Sequence, residues 1–109
     1  MKSVFTNLFY NSFYALEEIE NPQLDIEVIE KSGDIVQIRI SDNGAGIPQD
    51  IRGKIFSPFF TTKDPGKGKG FGLAICYKYV REHRGNIYLA DRNGSGTTFV
   101  IDLPKTTNY

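Results

Sequence analysis

The stretch Ile35-Val36-Gln37-Ile38-Arg39-Ile40-Ser41-Asp42 constrains the fold of this 109-residue chain more than any other. Side chains alternate between the two faces of a strand, so Val36, Ile38 and Ile40 share one face while Gln37 and Arg39 point to the other. A row of aliphatic side chains of this kind calls for a covering layer. Asp42 continues the same apolar row. A carboxylate there loses hydration with no obvious compensation, so it needs a partner or a ligand. Asn43-Gly44-Ala45-Gly46 then ends the strand, which we place at residues 35 to about 41.

The remaining elements follow from periodicity and turn chemistry. Val4, Phe5, Leu8, Phe9, Ser12, Ala15, Leu16 and Ile19 recur at helical spacing, which predicts a helix over residues 3–20 that Asn21-Pro22 stops. Ile26 and Val28 alternate with Asp25 and Glu27 as in a strand, and Ser32-Gly33-Asp34 reads as the hairpin turn into the next one. Pro48 suits the first turn of a short helix reaching about Ile55. A proline- and glycine-rich loop leads to a helix over residues 71–83, whose buried face is Leu73, Ala74, Tyr77 and Val80 and whose C-terminal cap is Gly85. Residues 87–90 and 97–103 read as two strands around an Asn93-Gly94 turn, with Phe99, Ile101 and Leu103 facing inward. The sum is an α+β two-layer sandwich, a sheet of about four antiparallel strands backed on one face by helices.

Length and composition narrow the function classes. The length allows one core, and residues 1–109 are expected to form one domain. Net charge is zero, so nothing global recruits nucleic acid or an anionic membrane. No apolar run approaches a membrane span, and the N-terminus lacks the apolar stretch of a signal peptide. Cys76 is the only cysteine, which excludes an internal disulfide and fits a reducing cytoplasm. The charge is uneven: residues 17–34 carry seven acidic groups and one basic, whereas residues 52–84 carry eight basic and two acidic. Solvated faces of opposite sign explain this as readily as an anion site in the second segment does.

Three groups of residues bear on chemistry. Gly66-Lys67-Gly68-Lys69-Gly70-Phe71-Gly72 precedes a helix start, where backbone N–H groups and the helix dipole favour an anion. A plain flexible connection is the simpler reading of such a loop. The loop does not end in Gly-Lys-Ser/Thr and does not follow a strand, so it fits neither common nucleotide fingerprint. Asn7 and Asn11 are four apart and share a helix face, with Tyr14 next along it. They read as polar surface residues or as hard oxygen ligands for Mg²⁺. Asp42, followed by Gly44 and Gly46, forms a β-turn and could also accept a hydrogen bond from an adenine amino group.

Together, in this order, these motifs resemble the GHKL ATPase and kinase superfamily, and within it the bacterial sensor histidine kinases. Asn7-Leu8-Phe9-Tyr10-Asn11-Ser12 resembles the N box, and Asp42-Asn43-Gly44-Ala45-Gly46 the G1 box. Ile55-Phe56-Ser57-Pro58-Phe59-Phe60-Thr61-Thr62-Lys63 resembles the F box, and Gly68-Lys69-Gly70-Phe71-Gly72-Leu73-Ala74-Ile75 the G2 box. Gly94-Ser95-Gly96-Thr97-Thr98-Phe99 matches the closing turn and strand. The resemblance covers nearly the whole chain. It implies a Bergerat ATP-binding fold with a mixed, mainly antiparallel sheet and ATP and Mg²⁺ as cofactors. Asn11, assisted by Asn7, would hold the Mg²⁺ and act in catalysis. Asp42 would bind the adenine amine, with Gly46 lining the base pocket and Tyr14, Gly44, Ile47, Leu73 and Thr97 completing the nucleotide contacts. Residues 61–69 would form a lid. Phe60, Thr61, Thr62, Lys63, Lys67, Gly68, Lys69, Gly70, Phe71 and Gly72 would line the phosphate side, while Phe56, Phe59 and Phe60 anchor the lid.

Asn7 also selects a branch. In gyrase-like, mismatch-repair and heat-shock-chaperone relatives a glutamate here activates water; an amide has no such basicity. The resemblance therefore implies phosphoryl transfer by positioning and charge neutralisation. The recipient would be a histidine on a separate dimerising helical hairpin, with a response regulator downstream and no direct membrane contact by this domain. His83, the sole histidine, lies near a helix end and is not expected to be the acceptor. A nucleotide-sensing module without transfer activity and an anti-sigma-factor-type serine kinase are the alternatives. Ser12 departs from the usual alanine, Lys69 from Thr or Ser, and Phe71 from Leu. The chain begins just before the N box, so an N-terminal truncation is expected, together with an uncovered sheet edge.

Overall fold

The computed structural model describes residues 2–47, 49–56, 72–90 and 96–105. The element order is α1 (Lys2–Leu16), β1 (Leu24–Lys31), β2 (Ile35–Asp42), a 3-10 helix (Gln49–Lys54), α2 (Gly72–Glu82), β3 (Asn86–Leu89) and β4 (Thr97–Pro104). Four strands form one sheet in the order β1-β2-β4-β3, and all three described pairings are antiparallel. The expected α+β sandwich is present, with no parallel pairing among the described residues. Among those residues, no helix is long and apolar enough to cross a membrane.

Helix α1 stops at Leu16, well short of residue 20. The apolar pattern runs on to Ile19, but Glu17, Glu18 and Glu20 would load the negative end of the helix dipole, and no basic residue occupies the last turn. The chain tightens instead: Glu17 N donates to Tyr14 O at 3.3 Å and Ile19 N to Leu16 O at 3.1 Å, after which Asn21 turns through φ 57°. The segment after Pro48 winds as 3-10 rather than α-helix, consistent with its length of six residues.

Gly85 proves to have a different role from the one expected. The left-handed residue that closes α2 is Arg84, at φ 63°, with Arg84 N donating to Arg81 O and Gly85 N to Val80 O at 3.0 and 2.9 Å. That pair of bonds is the Schellman pattern, and it satisfies two carbonyls that the helix end leaves open. Gly85 is required one residue later by close packing, because a Cβ there would collide with the carbonyl oxygen of Asp102.

Both helices lie on the apolar face of the sheet. Val4 and Leu8 from α1, Cys76 and Val80 from α2, and Ile40, Ile87, Phe99 and Ile101 from the strands form one cluster with Ile55. Burying each such aliphatic side chain contributes about 1.5–3 kcal/mol. The Cys76 thiol donates to Val4 O at 3.5 Å, and burial pushes its pKa up to about 12. Leu103 and Ile38 pack on the edge of the cluster. The cover reaches Leu24 at the start of β1 but does not extend along the strand. Ile26 and Val28 pair with Ile40 and Ile38, so they share the helix-bearing face, yet they are 54% and 66% exposed.

The opposite face is closed by polar groups. Gln37 Nε2 donates to Asp102 Oδ1 at 2.9 Å, Arg39 donates to Gln37 Oε1 at 3.1 Å, and the Tyr88 hydroxyl donates to Asp102 Oδ2 at 3.1 Å. Val100 lies between Arg39 and Tyr88 in the register and is fully buried on this side. The Tyr88 pKa is raised by desolvation and by its hydrogen bond to Asp102.

Candidate functional site

The end of β2 is where the apolar row turns polar. Asp42 is 3% exposed, and its Oδ1 accepts the Gly44 N–H at 2.9 Å. That bond turns the chain immediately after the strand and gives the buried carboxylate a dipole to face. Thr97, also buried, stands opposite Asp42 in the β2–β4 register. Gly44 packs directly on the last turn of α1: a Cβ at this position would come 2.8 Å from Ala15 O and 3.0 Å from Ala15 Cβ. Gly46, at φ +85°, backs onto Gly96, so the loop after β2 meets the start of β4. Ile47 and Leu73 are half-buried against the core.

The two candidate asparagines lie on α1, the helix whose last turn meets Gly44. Asn7 and Asn11 are half-buried, with Tyr14 further along the same side. Asn11 Nδ2 donates to the Asn7 carbonyl at 2.9 Å, which fixes the amide so that Oδ1 carries its remaining acceptor capacity. The candidate positions Asn7, Asn11, Tyr14, Asp42, Gly44, Gly46, Ile47, Leu73 and Thr97 thus lie on α1, the β2–β4 end and the start of α2. Phe60, Thr61, Thr62, Lys63, Lys67, Gly68, Lys69, Gly70 and Phe71 lie outside the described residues, as do Phe59 and the Asn93-Gly94 turn. Phe56, expected as a lid anchor, contacts Tyr77 and Phe99 with ring centroids 5.8 and 6.4 Å apart.

Two residues at this end have surroundings that their spacing alone does not give. Asn43 accepts Gln23 N at 2.8 Å and donates to Asn21 O at 3.0 Å, tying the β1 entry to the loop after Asp42. An asparagine beside two glycines is a turn signal, but its partners are twenty residues away. Ser12 is the other: it is 1% exposed, and its hydroxyl has no hydrogen-bond partner among the described residues. Its place one turn beyond Val4 and Leu8 was visible in the helical spacing.

Residues 1–107 match the model of the family described as histidine kinase-, DNA gyrase B- and HSP90-like ATPase. The chain belongs to this ATPase family. Sensor kinase CckA of Brucella abortus is 49% identical over 72 residues, 66% of this chain and 8% of that protein. Sporulation kinase E of Bacillus subtilis is 34% identical over 108 residues, 99% of this chain and 14% of that protein. The catalytic domain of histidine kinase ThkA, solved without nucleotide, superposes with TM-score 0.81 at 37% identity, covering 97% of this chain and 67% of that one. Within the family, the chain is a sensor histidine kinase ATP-binding domain with the GHKL fold. The ATP-binding domain spans between 8% and 22% of the length of the curated relatives it matches.

The groups at this end suit such a nucleotide. A carboxylate accepts from an amine, an amide oxygen is a hard ligand for a cation beside phosphates, and glycine-lined loops leave room against the backbone. The described residues contain no group of three or more His, Cys, Asp or Glu that could hold a metal ion.

Proposed function

We propose that the domain binds Mg²⁺-ATP and donates the γ-phosphoryl group to a histidine on a separate dimerising helical hairpin, from which a response regulator takes it. The observation that carries this reading is the Asn7–Asn11 pair. Asn11 Nδ2 is engaged with the Asn7 carbonyl, which leaves the amide oxygen to face a cation. One amide oxygen suits Mg²⁺, which completes its shell with phosphate oxygens and water. Asp42, buried at the end of β2, receives the adenine amine, and the amide of Asn7 stands where a water-activating base would be needed for hydrolysis. What these residues supply is position and charge neutralisation for an external nucleophile, the requirement of phosphoryl transfer. The glycines and lysines of residues 66–72 serve the phosphates, and the site works in the cytoplasm.

The test combines this chain with a separately produced histidine-bearing hairpin, Mg²⁺ and γ-labelled ATP. Acid-labile label should appear on the hairpin. Asn11→Ala should reduce it at least about 10–100-fold, the loss seen when even an outer partner of a metal is removed. Label on His83, or an undiminished rate in Asn11→Ala, would refute the reading.

A further inference from the structure

Arg52 opens the basic stretch of residues 52–84, whose pattern suits an anion site or a solvated face. The fold gives this side chain a different partner. In the 3-10 helix Gln49–Lys54, Lys54 is exposed while Arg52 is half-buried. Arg52 Nη2 donates to the main-chain carbonyl of Ala90 at 3.2 Å. Ala90 follows β3, and its own N–H continues the β3–β4 ladder by donating to Thr98 O at 3.0 Å. A guanidinium aimed at a carbonyl of this kind ties two stretches of backbone together.

The two stretches are two sides of the candidate nucleotide site. One runs from Asp42 through Gly44, Gly46 and Ile47 into the 3-10 helix. The other is the end of β3 with the start of β4, where Thr97 pairs with Asp42 and Thr98 Oγ1 lies 2.9 Å from Ser41 Oγ. At Gly46 the two sides meet without a side chain, since a Cβ there would come 3.0 Å from Gly96 O. A few such atomic contacts are individually weak and do little against separation. The Arg52 bond joins the same two sides and opposes their parting. Just beyond it, Ile55 is 3% exposed in the core and the Phe56 ring lies 6.4 Å from that of Phe99. The segment is therefore held to the sheet on both sides of Gly53.

We infer that Arg52 is a positioning residue of the nucleotide site: by holding the Ala90 carbonyl it keeps the loop after β2 at a fixed distance from the start of β4, and so sets the width of the pocket that receives the base. The inference rests on the ATP-binding reading above. In this role the guanidinium binds backbone and touches no phosphate. Its loss weakens nucleotide in the ground state and the transition state alike, which raises KM and leaves kcat unchanged.

The experiment compares the wild-type chain with Arg52→Met, which keeps the aliphatic stem and removes every donor, and with Arg52→Lys, which keeps a donor. Calorimetry gives the affinity for ADP, and transfer to the histidine-bearing hairpin gives KM and kcat for ATP. Thermal unfolding sets a temperature at which all three proteins are folded. Arg52→Met should weaken ADP and raise KM by about 3–10-fold, the equivalent of one lost hydrogen bond. Its kcat should stay within about twofold of the wild type. Arg52→Lys should bind ADP within about twofold of the wild type, because one charged donor still reaches the carbonyl. The ratio of wild-type to Arg52→Met affinity should hold between about 0.05 and about 0.5 M salt, since a carbonyl carries no charge to screen. A ratio that collapses at high salt would mean that the guanidinium binds phosphate directly, and the inference fails. Unchanged ADP affinity in Arg52→Met, a fall in kcat as large as that in kcat/KM, or no recovery in Arg52→Lys also overturns it while the ATP site stands. A wild-type chain that does not bind ADP overturns the ATP reading along with it.

Discussion

Ile40 and Gln37 lie three residues apart on β2 and are both nearly sealed from water, at 1% and 6% exposure, but by opposite means. Ile40 is covered by side chains from both helices, and its neighbours need no particular orientation. Gln37 is covered by directed bonds to Asp102 and from Arg39, with the Tyr88 hydroxyl closing the group. The apolar face is held by area and packing, which tolerate small shifts. The polar face is held by geometry, which does not. The contrast teaches where to look for function. On the polar face the described groups satisfy one another. On the apolar face the row ends in Asp42 and Ser12, whose chemistry the packing around them does not require.

The comparison can be broken by substitutions on either side. The largest effect is expected from Ile101→Ala, in the centre of the dry layer, with a loss of about 2–5 kcal/mol in urea unfolding from the transfer and cavity terms. A loss below about 1 kcal/mol would mean that this layer is loosely packed. Next comes Asp102→Ala, which strands the Gln37 amide and the Tyr88 hydroxyl; about 1–2 kcal/mol is expected for this half-buried group. Combined with Tyr88→Phe it should be non-additive by at least about 0.5 kcal/mol, and strict additivity would show that the polar face is not a network.

The smallest effect concerns pH and the depth of the dry layer. The Cys76 thiol has its pKa raised from 9.0 to about 12 by burial. Between those values the unfolded chain loses the proton and the folded chain keeps it. The associated stability is therefore complete below pH 9 and declines as pH rises toward 12. By pH 10 the decline attributable to this thiol should be roughly 1 kcal/mol. Cys76→Ala should show a correspondingly shallower loss between pH 8 and 10. Equal slopes for the two proteins would mean that water reaches the thiol.

Much of the molecule was legible from its residues, and the exceptions have a common cause. The alternation in β2 and the inward side chains of β4 could be read because they depend on neighbours within a turn or two of the chain. So could the burial of Asp42 at the end of the apolar row and the shared helix side of Asn7 and Asn11. The buried face of α2 was read only in part: Val80 is sealed as expected, but Cys76 is buried in place of Tyr77, which is 43% exposed. The early end of α1 was missed because the apolar pattern outlasts the helix, while three glutamates oppose its continuation. Arg84 was missed because a nearby glycine looked like the natural left-handed residue, whereas that glycine is held by its contact with β4.

By itself, then, the sequence determined which side chains share a face, where the turns fall, and that a carboxylate would close an apolar row. The tertiary structure decided which faces are covered. The same alternation leaves Ile40 buried and its strand partner Ile26 more than half exposed, because the core cluster takes in Ile40 and stops short of Ile26. It likewise seals Gln37 and Val100 on a face whose pattern reads as polar, and buries the Ser12 hydroxyl with no hydrogen-bond partner among the described residues. Local spacing sets the direction of a side chain. What it meets there depends on elements far along the chain, whose strand order and packing no short window contains.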